Sequence, residues 1–253
     1  MSSWRLLELE YPDAPSNLAL EEALAKQIGQ GRSPRTLRLW RNHRAAVIGE
    51  NQSARLELQL DACQELGVEV VRRFTGGGAV YHDLGNINYS ICVPKQPSAA
   101  LGSQQALFTR ALDCAATCLR MLGLDSTQVP INTILVRGRK VSGGAGAIRW
   151  GSVFYHGSIL VSTDLQTVWK ILRREQPPQA PGLVQSTRLP VTSLERELCS
   201  EIPIHLVKNT LKNAFGKTYD AELIPGQPTE EELQIANGLA KEKYGCYEWN
   251  LKI

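Results

Sequence analysis

The stretch VEVVRRFTGGGAVYHDLGNINYSICV, Val68 to Val93, decides how the rest of the chain is read. Val68 to Phe74 is rich in β-branched residues and predicts a strand. Thr75-Gly76-Gly77-Gly78 is a turn, Ala79 to His82 predicts a second strand, and Asn88 to Val93 a third. No helical period separates them, so the strands form adjacent, hairpin-like runs.

Working outward, strands are predicted at Trp4 to Leu9, and at Thr36 to Trp40 and Ala45 to Ile48 around the turn Arg41 to Arg44. Further strands fall at Ile134 to Val136, Lys140 to Ser142 and Val153 to Val161. Apolar spacing predicts helices at Asn17 to Ile28, capped by Ser16, and from the cap Ser53 to Glu65, with Gly67 as stop signal. Others run from Ser103 to Leu122, from the cap Asp164 to Arg174, at Ile204 to Phe215, and at Glu230 to Tyr244 behind Thr229. Grouped strands without strict alternation predict an α+β fold with a mixed, mostly antiparallel sheet flanked by helices. Pro177 to Pro190 is the only candidate boundary. Its proline-rich part, Gln176 to Ser186, reads as a loop, so residues 1–253 are expected to form one domain.

Of the 253 residues, 43% are hydrophobic, which suffices for a substantial core and argues against disorder. Basic residues number 28 and acidic ones 25, a net charge of +3, so broad electrostatic nucleic-acid binding is not expected. No apolar run approaches the roughly 18 residues of a membrane span. The N-terminus MSSWRLLELEYPD has no long apolar segment of a secretory signal, so a cytoplasmic location is expected. The six cysteines are scattered without metal-ligand spacing and read as small buried apolar groups.

Three consecutive glycines cost backbone entropy on folding, which something must offset. Glycine lets backbone amides approach a ligand, and successive N–H groups make an anion-binding concavity. Arg72 and Arg73, just upstream, carry forked donors suited to phosphate or carboxylate. In an extended strand they point to opposite faces, so only one reaches a ligand. The loop is not a P-loop, which needs GxxxxGK[ST] before a helix. It is not a dinucleotide fingerprint, because Ala79-Val80-Tyr81 continues as strand.

A second segment, NTILVRGRKVSGGAG from Asn132 to Gly146, turns at Arg137-Gly138 into a strand that carries Lys140. Alternation places Lys140 and Ser142 on one face, and the small residues Gly143 to Gly146 leave room for a bulky ligand beside the lysine. His82 suits a ligand contact and a structural hydrogen bond equally. His156 leans towards a structural role, and His43 and His205 towards surface or core. Lys241 and Lys243 read as a solvated helix face. No paired carboxylates, Ser-His-Asp or HExxH arrangement stands out.

At these residues the sequence resembles the lipoate-protein ligase family, within the wider biotin/lipoate ligase group. The matching segments are NLALEEAL (Asn17 to Leu24), WRNHRAAVIGENQ (Trp40 to Gln52) and RRFTGGGAVYHDLGNINYS (Arg72 to Ser90), followed by GRKVSGGA (Gly138 to Ala145) and YHGSILV (Tyr155 to Val161). The resemblance implies a catalytic domain in which lipoate and ATP share a pocket. Lipoate would attack the α-phosphate of ATP with Mg2+ present, giving lipoyl-adenylate and pyrophosphate. A lysine of a lipoyl-carrier domain, such as a 2-oxoacid dehydrogenase E2 or the glycine-cleavage H protein, would then take the acyl group. By motif position Gly76, Gly77 and Gly78 are implied to hold phosphate and acyl-adenylate. Arg72, Thr75, His82, Asn86 and Asn88 fall among nucleotide and ligand contacts, and Ser142 beside them. Lys140 falls at the essential lysine, and no metal ligand is assigned. The chemistry fits: two unit charges about 4 Å apart repel by roughly 4 kcal/mol at an effective dielectric near 20, and a preorganised ammonium offsets this.

The sequence departs from the family pattern at Thr133, where an Asp is common, and at Gly146, where a Gln is common. It also ends soon after Trp249, where two-domain members continue, so a separate accessory subunit is an expected partner. Three rivals differ in their needs. A cysteine-dependent octanoyl- or lipoyltransferase needs a thiol in the pocket. A biotin ligase carries an arginine among the loop glycines. A non-catalytic module binding lipoyl carriers has no need of Lys140.

Overall fold

The computed structural model describes residues 2–95, 103–129, 132–175 and 182–252. Through its first half the chain runs β1 (Ser2–Leu7), α1 (Ala14–Gly29), β2 (Thr36–Trp40), β3 (Ala45–Ile48), α2 (Ala54–Glu57), α3 (Leu60–Glu65), β4 (Glu69–Arg72), β5 (Val80–His82), β6 (Asn86–Pro94) and α4 (Gln104–Met121). It continues through β7 (Thr127–Val129), β8 (Thr133–Val136), β9 (Arg139–Arg149), β10 (Ser152–Leu160), α5 (Leu165–Ile171), α6 (Leu194–Leu198), α7 (Ile204–Tyr219), β11 (Ala221–Pro225), α8 (Glu230–Leu239) and α9 (Tyr247–Asn250), with a π-helical turn at Ala240–Tyr244.

The fold is α+β. Eight strands form one sheet in the order β11-β1-β2-β6-β10-β9-β8-β7. β1 runs parallel to β11 and β2, and every other pair in it is antiparallel. A second sheet, β4-β3-β5, pairs β3 parallel to β4 and antiparallel to β5. α4 and α7 cover one face of the large sheet. The fully buried Ile91, Leu107, Leu119 and Phe215 lie there, each worth about 1.5–3 kcal/mol of transfer free energy. α1 and α8 cover the other face, and the small sheet packs with α2, α3 and α5 around a third cluster.

Several sequence expectations shift. Asp13, not Ser16, caps α1: its carboxylate accepts the Ser16 N–H at 2.7 Å, and the helix starts at Ala14. Thr36–Trp40 and Ala45–Ile48 do not pair with each other; they enter different sheets. The helix expected from Ser53 to Glu65 breaks at Leu58, which bridges to Leu172, while the Gln59 N–H donates to Ile171. A tertiary pairing thus interrupts a locally helical stretch. Thr229 caps α8 in a capping box with Glu232. β7, β11, α6 and α9 had no sequence reading. The expected loop Gln176 to Ser186 lies outside the described residues as far as 181.

The glycine run Gly143 to Gly146 is part of β9. A Cβ on Gly144 would lie 1.9 Å from the Tyr155 hydroxyl, and one on Gly146 would lie 2.3 Å from the Phe154 carbonyl and 2.5 Å from the Phe108 ring. At these two positions the space a Cβ would take is filled by the protein's own residues. The site departure at Gly146 has the same explanation: Phe108 fills the space a side chain would need. Gly146→Ala is therefore expected to destabilise the fold by about 1–3 kcal/mol, because a backbone carbonyl cannot rotate away as a side chain can. Urea unfolding of the variant against the parent measures this, and an unchanged midpoint would contradict the packing argument.

Candidate functional site

Between the two sheets lies a cavity of about 630 Å³, in the usual range for small-molecule sites. Leu18, Trp40, Val47, Val168, Trp169 and Leu172 give it an apolar lining. Arg73, Lys140, Arg173, Arg174 and Arg188 also line it, and among the described residues no Asp or Glu does. Cations without carboxylates define a receptor for anions.

β4 ends at Arg72, so the chain turns between the two arginines and separates their roles. Arg73 curls into the glycine loop. Its Nε donates to Thr75 Oγ1 at 3.0 Å, its Nη2 to the carbonyls of Gly76 at 2.6 Å and Gly78 at 2.8 Å, and its Nη1 to Val47 at 3.1 Å. Burial lowers its pKa to about 10, with the Glu21 carboxylate opposing the shift, so it remains charged at neutral pH. Because the peptide is trans, turning the Gly76 carbonyl onto Arg73 turns the Gly77 N–H away from it. The N–H groups of Gly76, Gly77 and Gly78 have no acceptor among the described residues. Gly77 sits at φ +84°, a left-handed conformation that disfavours a side chain, and a Cβ on Gly78 would stand 2.9 Å from Ser186 Oγ. The loop is a set of backbone donors shaped by one buried guanidinium.

Lys140 faces the cavity because β9 bulges. Leu135 pairs with Lys140 but Ile134 pairs with Ser142, leaving Val141 as the extra residue. The alternation expected from sequence therefore fails here. Lys140 turns over Gly143, whose missing Cβ would lie 2.7 Å from Nζ. Ser142 stands opposite Ile159 on the α4 side and does not line the cavity. The loop 184–192 covers the strand edge, with Lys140 N–H donating to Pro190 at 2.7 Å and Thr192 N–H to Lys140 at 2.9 Å. Burial, then the charge of Arg73, lowers the lysine pKa. Nζ has no partner among the described residues.

His82 and Asn88 also line the cavity. Arg38 donates to Asn17, Asn17 to Asn42, and the Asn42 amide to His82 Nδ1 at 3.2 Å, which leaves Nε2–H as the ring's donor. Burial, then the positive surroundings of His156 and Arg73, pushes the His82 pKa down to about 3. Both polar atoms of the Asn88 side chain are buried without a partner, as expected of a ligand contact. Neither Thr75 nor Gly76 lines the cavity; Thr75 is fully buried and bonds His156 Nε2 at 2.8 Å, whose Nδ1 bonds Glu21 at 2.6 Å. Asn86 ties the β5–β6 turn, donating to Tyr81 and accepting from Thr163. Neither Asn86 nor Arg72 lines the cavity.

Three cavity residues lacked a sequence signal or were read otherwise. The motif points to Arg72 as the contact, yet Arg73 lines the cavity, and His156, which leans structural in the sequence, lines it too while holding the relay to Glu21. Arg188, in a stretch without regular structure, was missed. Its Nη1 pairs with Glu57 at 2.8 Å, while Nε and Nη2 are buried without partners. None of the six cysteines lines the cavity. Burial pushes the thiol of Cys63 up to about 11 and that of Cys118 up to about 12, and raises those of Cys92 and Cys114 as well. Among the described residues no three metal-ligating side chains gather, and no helix is long and apolar enough to cross a membrane.

Residues 13–216 match the model of the lipoyl protein ligase A/B catalytic domain, and the chain belongs to the lipoate-protein ligase family. It is 33% identical to lipoate-protein ligase A subunit 1 of Thermoplasma acidophilum, over 98% of this chain and 96% of that one. It is 28% identical to the octanoyltransferase LipM of Symbiobacterium thermophilum, over 99% of each. Among solved structures, a bi-partite lipoate protein ligase of T. acidophilum, studied with its E2 lipoyl domain, superposes with a TM-score of 0.86 at 31% identity, covering 99% of this chain and 97% of that one. A protein of the same organism with bound lipoic acid gives 0.83 at 31% identity (99% and 100% covered). Lipoate-protein ligase A bound with ATP gives 0.85 at 31% identity (99% of each).

The His82 environment has a consequence for acid stability. A histidine held neutral in the fold takes up a proton on unfolding, so the unfolded state binds more protons between about pH 3 and pH 6.5. Its contribution is fully present above about pH 6.5 and drains as pH falls through that window. The melting temperature of His82→Gln should fall less steeply from pH 7 to pH 5 than that of the parent. Equal slopes would show that His82 carries its proton in the fold.

Proposed function

We propose that this protein is an ATP-dependent lipoate-protein ligase, with its residues acting as one catalytic domain. The lipoate carboxylate attacks the α-phosphate of ATP, the bond to the β-phosphate breaks, and pyrophosphate leaves. The neutral amine of a carrier-domain lysine then attacks the lipoyl carbonyl, AMP leaves, and the amine's extra proton is released. One observation carries this reading: among the described residues the cavity is lined by five cations and no carboxylate, with Lys140 Nζ and two Arg188 nitrogens unpartnered.

The residues divide the work. Lys140 reaches the carboxylate and α-phosphate oxygens and offsets a repulsion of roughly 4 kcal/mol. The loop amides receive phosphate oxygens. The open side of the Arg188 fork suits the departing pyrophosphate. Gly77, Gly78, His82 and Asn88 complete the ligand contacts, and the apolar wall at Leu18, Trp40 and Val47 suits an aliphatic acyl chain. No carboxylate in the cavity fits a protein-held Mg2+, so the metal enters only as the nucleotide's counter-ion. The T. acidophilum relative is named as one subunit of a ligase, and its structural study includes an E2 lipoyl domain, which supports an accessory subunit and such a carrier here.

The second reading is an octanoyltransferase, which the relationship to LipM raises. A cysteine-dependent transfer needs a thiol at the acyl chain, and no cysteine lines the cavity. This favours the ligase.

The deciding measurement is mass spectrometry of an unmodified carrier domain incubated with the protein, lipoate and Mg-ATP, with and without a candidate accessory subunit. A lipoyl mass shift that needs ATP supports the ligase. A hydroxylamine-sensitive thioester formed without ATP would overturn it. Lys140→Ala should abolish lipoate-dependent pyrophosphate release while folding normally. Gly143→Ala should reduce that release on the order of tenfold, about 1.4 kcal/mol, since its Cβ would displace the ammonium. Arg188→Lys keeps a partner for Glu57 but loses the fork, so KM for ATP should rise about tenfold with KM for lipoate unchanged.

A further inference from the structure

Arg72 is fully buried, yet among the described residues it forms no ion pair, and it does not line the cavity. Its side chain joins two distant segments. Nη1 donates to the carbonyls of Gly49 at 3.0 Å, Glu50 at 2.9 Å and Gln52 at 2.6 Å. Nε donates to Trp249 at 2.9 Å and Nη2 to Asn250 at 3.1 Å. The backbone joins in: Arg72 N–H donates to Asn250 Oδ1 at 2.8 Å, and Trp249 Nε1 to the Arg72 carbonyl at 2.8 Å.

Beyond Arg72 the same contacts reach the cavity. A Cβ on Gly49 would lie 2.3 Å from the Gly77 carbonyl, so this turn lies directly against the glycine loop. Gln52 accepts the Gly49 N–H at 2.9 Å and donates to Ser186 Oγ at 3.0 Å. Ser186 Oγ in turn accepts the Ala79 N–H at 2.8 Å, and a Cβ on Gly78 would stand 2.9 Å from it. Both the glycine loop and the loop carrying Arg188 are thus tied to the turn that Arg72 holds.

The segment around α9 is itself anchored. The Trp249 ring lies between the ammonium groups of Lys243 at 4.1 Å and Lys252 at 4.0 Å. Lys243 and Tyr244 both bond Glu22 of α1 at 2.6 Å, and Asn250 Nδ2 donates to the Tyr244 carbonyl at 2.8 Å. Trp249 and Asn250 lie outside the span 13–216 that matches the family model.

We infer that Trp249 and Asn250, acting through Arg72, are positioning residues that hold the glycine loop and the Arg188 loop in their anion-receiving arrangement. Arg72 touches no ligand in this role. It transmits the docking of α9 to a loop that ligand-free backbone donors would otherwise leave to drift. The inference goes beyond the ligase reading, since it concerns how the cavity is held and not what fills it.

Hydrogen-exchange mass spectrometry on the full chain tests it. In Asn250→Ala, amides in peptides covering 74–82 and 182–192 should exchange about tenfold faster, while those of α4 and α7 keep the parent rate. Asn250→Asp retains the acceptor for Arg72 N–H but loses the donor to the Tyr244 carbonyl, so it should restore protection in part. Parent-like exchange in Asn250→Ala, or an equal increase in every peptide, would overturn the inference, the second by revealing a general loss of stability. Pyrophosphate exchange gives the kinetic counterpart: KM for ATP should rise in Asn250→Ala and recover in part in Asn250→Asp. If the parent chain, supplied with accessory subunit, shows no lipoate-dependent exchange at all, the ligase reading fails while the hydrogen-exchange result still decides the positioning role.

Discussion

A guanidinium buried away from carboxylates must find enough neutral acceptors to replace its water, or the fold carries an uncompensated charge. Arg73 meets that demand with the carbonyls of Val47, Gly76 and Gly78 and the hydroxyl of Thr75. Much of the site follows from this. Carbonyls drawn inward leave amides facing elsewhere, and the left-handed backbone at Gly77 makes the turn possible. The charge itself stays in place, where it adds to the larger effect of burial in lowering the proton affinity of Lys140 and His82. One interaction therefore shapes the loop and sets the electrostatic character of the cavity.

Arg72 meets the same demand differently. Its partners are the carbonyls of the 49–52 turn and of the C-terminal helix, so it joins segments where Arg73 shapes one. Two identical neighbouring residues thus hold the loop from within and from behind. Behind both, the relay Glu21–His156–Thr75 connects α1 to β10 and to the loop, and its terminal Oγ1 accepts from Arg73. The Glu21 carboxylate, itself near Arg38 at 3.8 Å, supplies negative charge from the buried side without entering the cavity.

The proposed ligase and the alternative transferase ask different chemistry of the cavity. Activating a carboxylate with a nucleotide brings anions together and calls for cations. Acyl transfer through a thioester calls for an accessible thiol of moderate pKa. The cavity has the first and lacks the second. The shared fold with LipM at 28% identity shows that such a scaffold carries more than one acyl chemistry, so the lining residues, not the sheet, carry the distinction.

Sequence by itself determined the fold class, the glycine turn and the lysine strand, because each is written in local signals: adjacent β-branched runs, three glycines, and small residues after Lys140. It also placed Asp164 and Thr229 as caps, since a cap depends on residues within one turn. It pointed to Arg72 as the ligand contact, whereas Arg73 lines the cavity, because the alternation rule ends where β4 ends. It misassigned Ser142, because a single bulged residue, Val141, reverses the facing of all that follows. The glycines after Lys140 were legible as small but not as seats for Tyr155 and Phe108, whose positions depend on a strand and a helix far along the chain. Arg188 and Asn250 carry no local signal; their roles arise only when a loop 48 residues from Lys140 and a helix 178 residues from Arg72 fold back against them. Short-range propensity selects the elements, while long-range burial and the need to satisfy buried donors select which side chain does what.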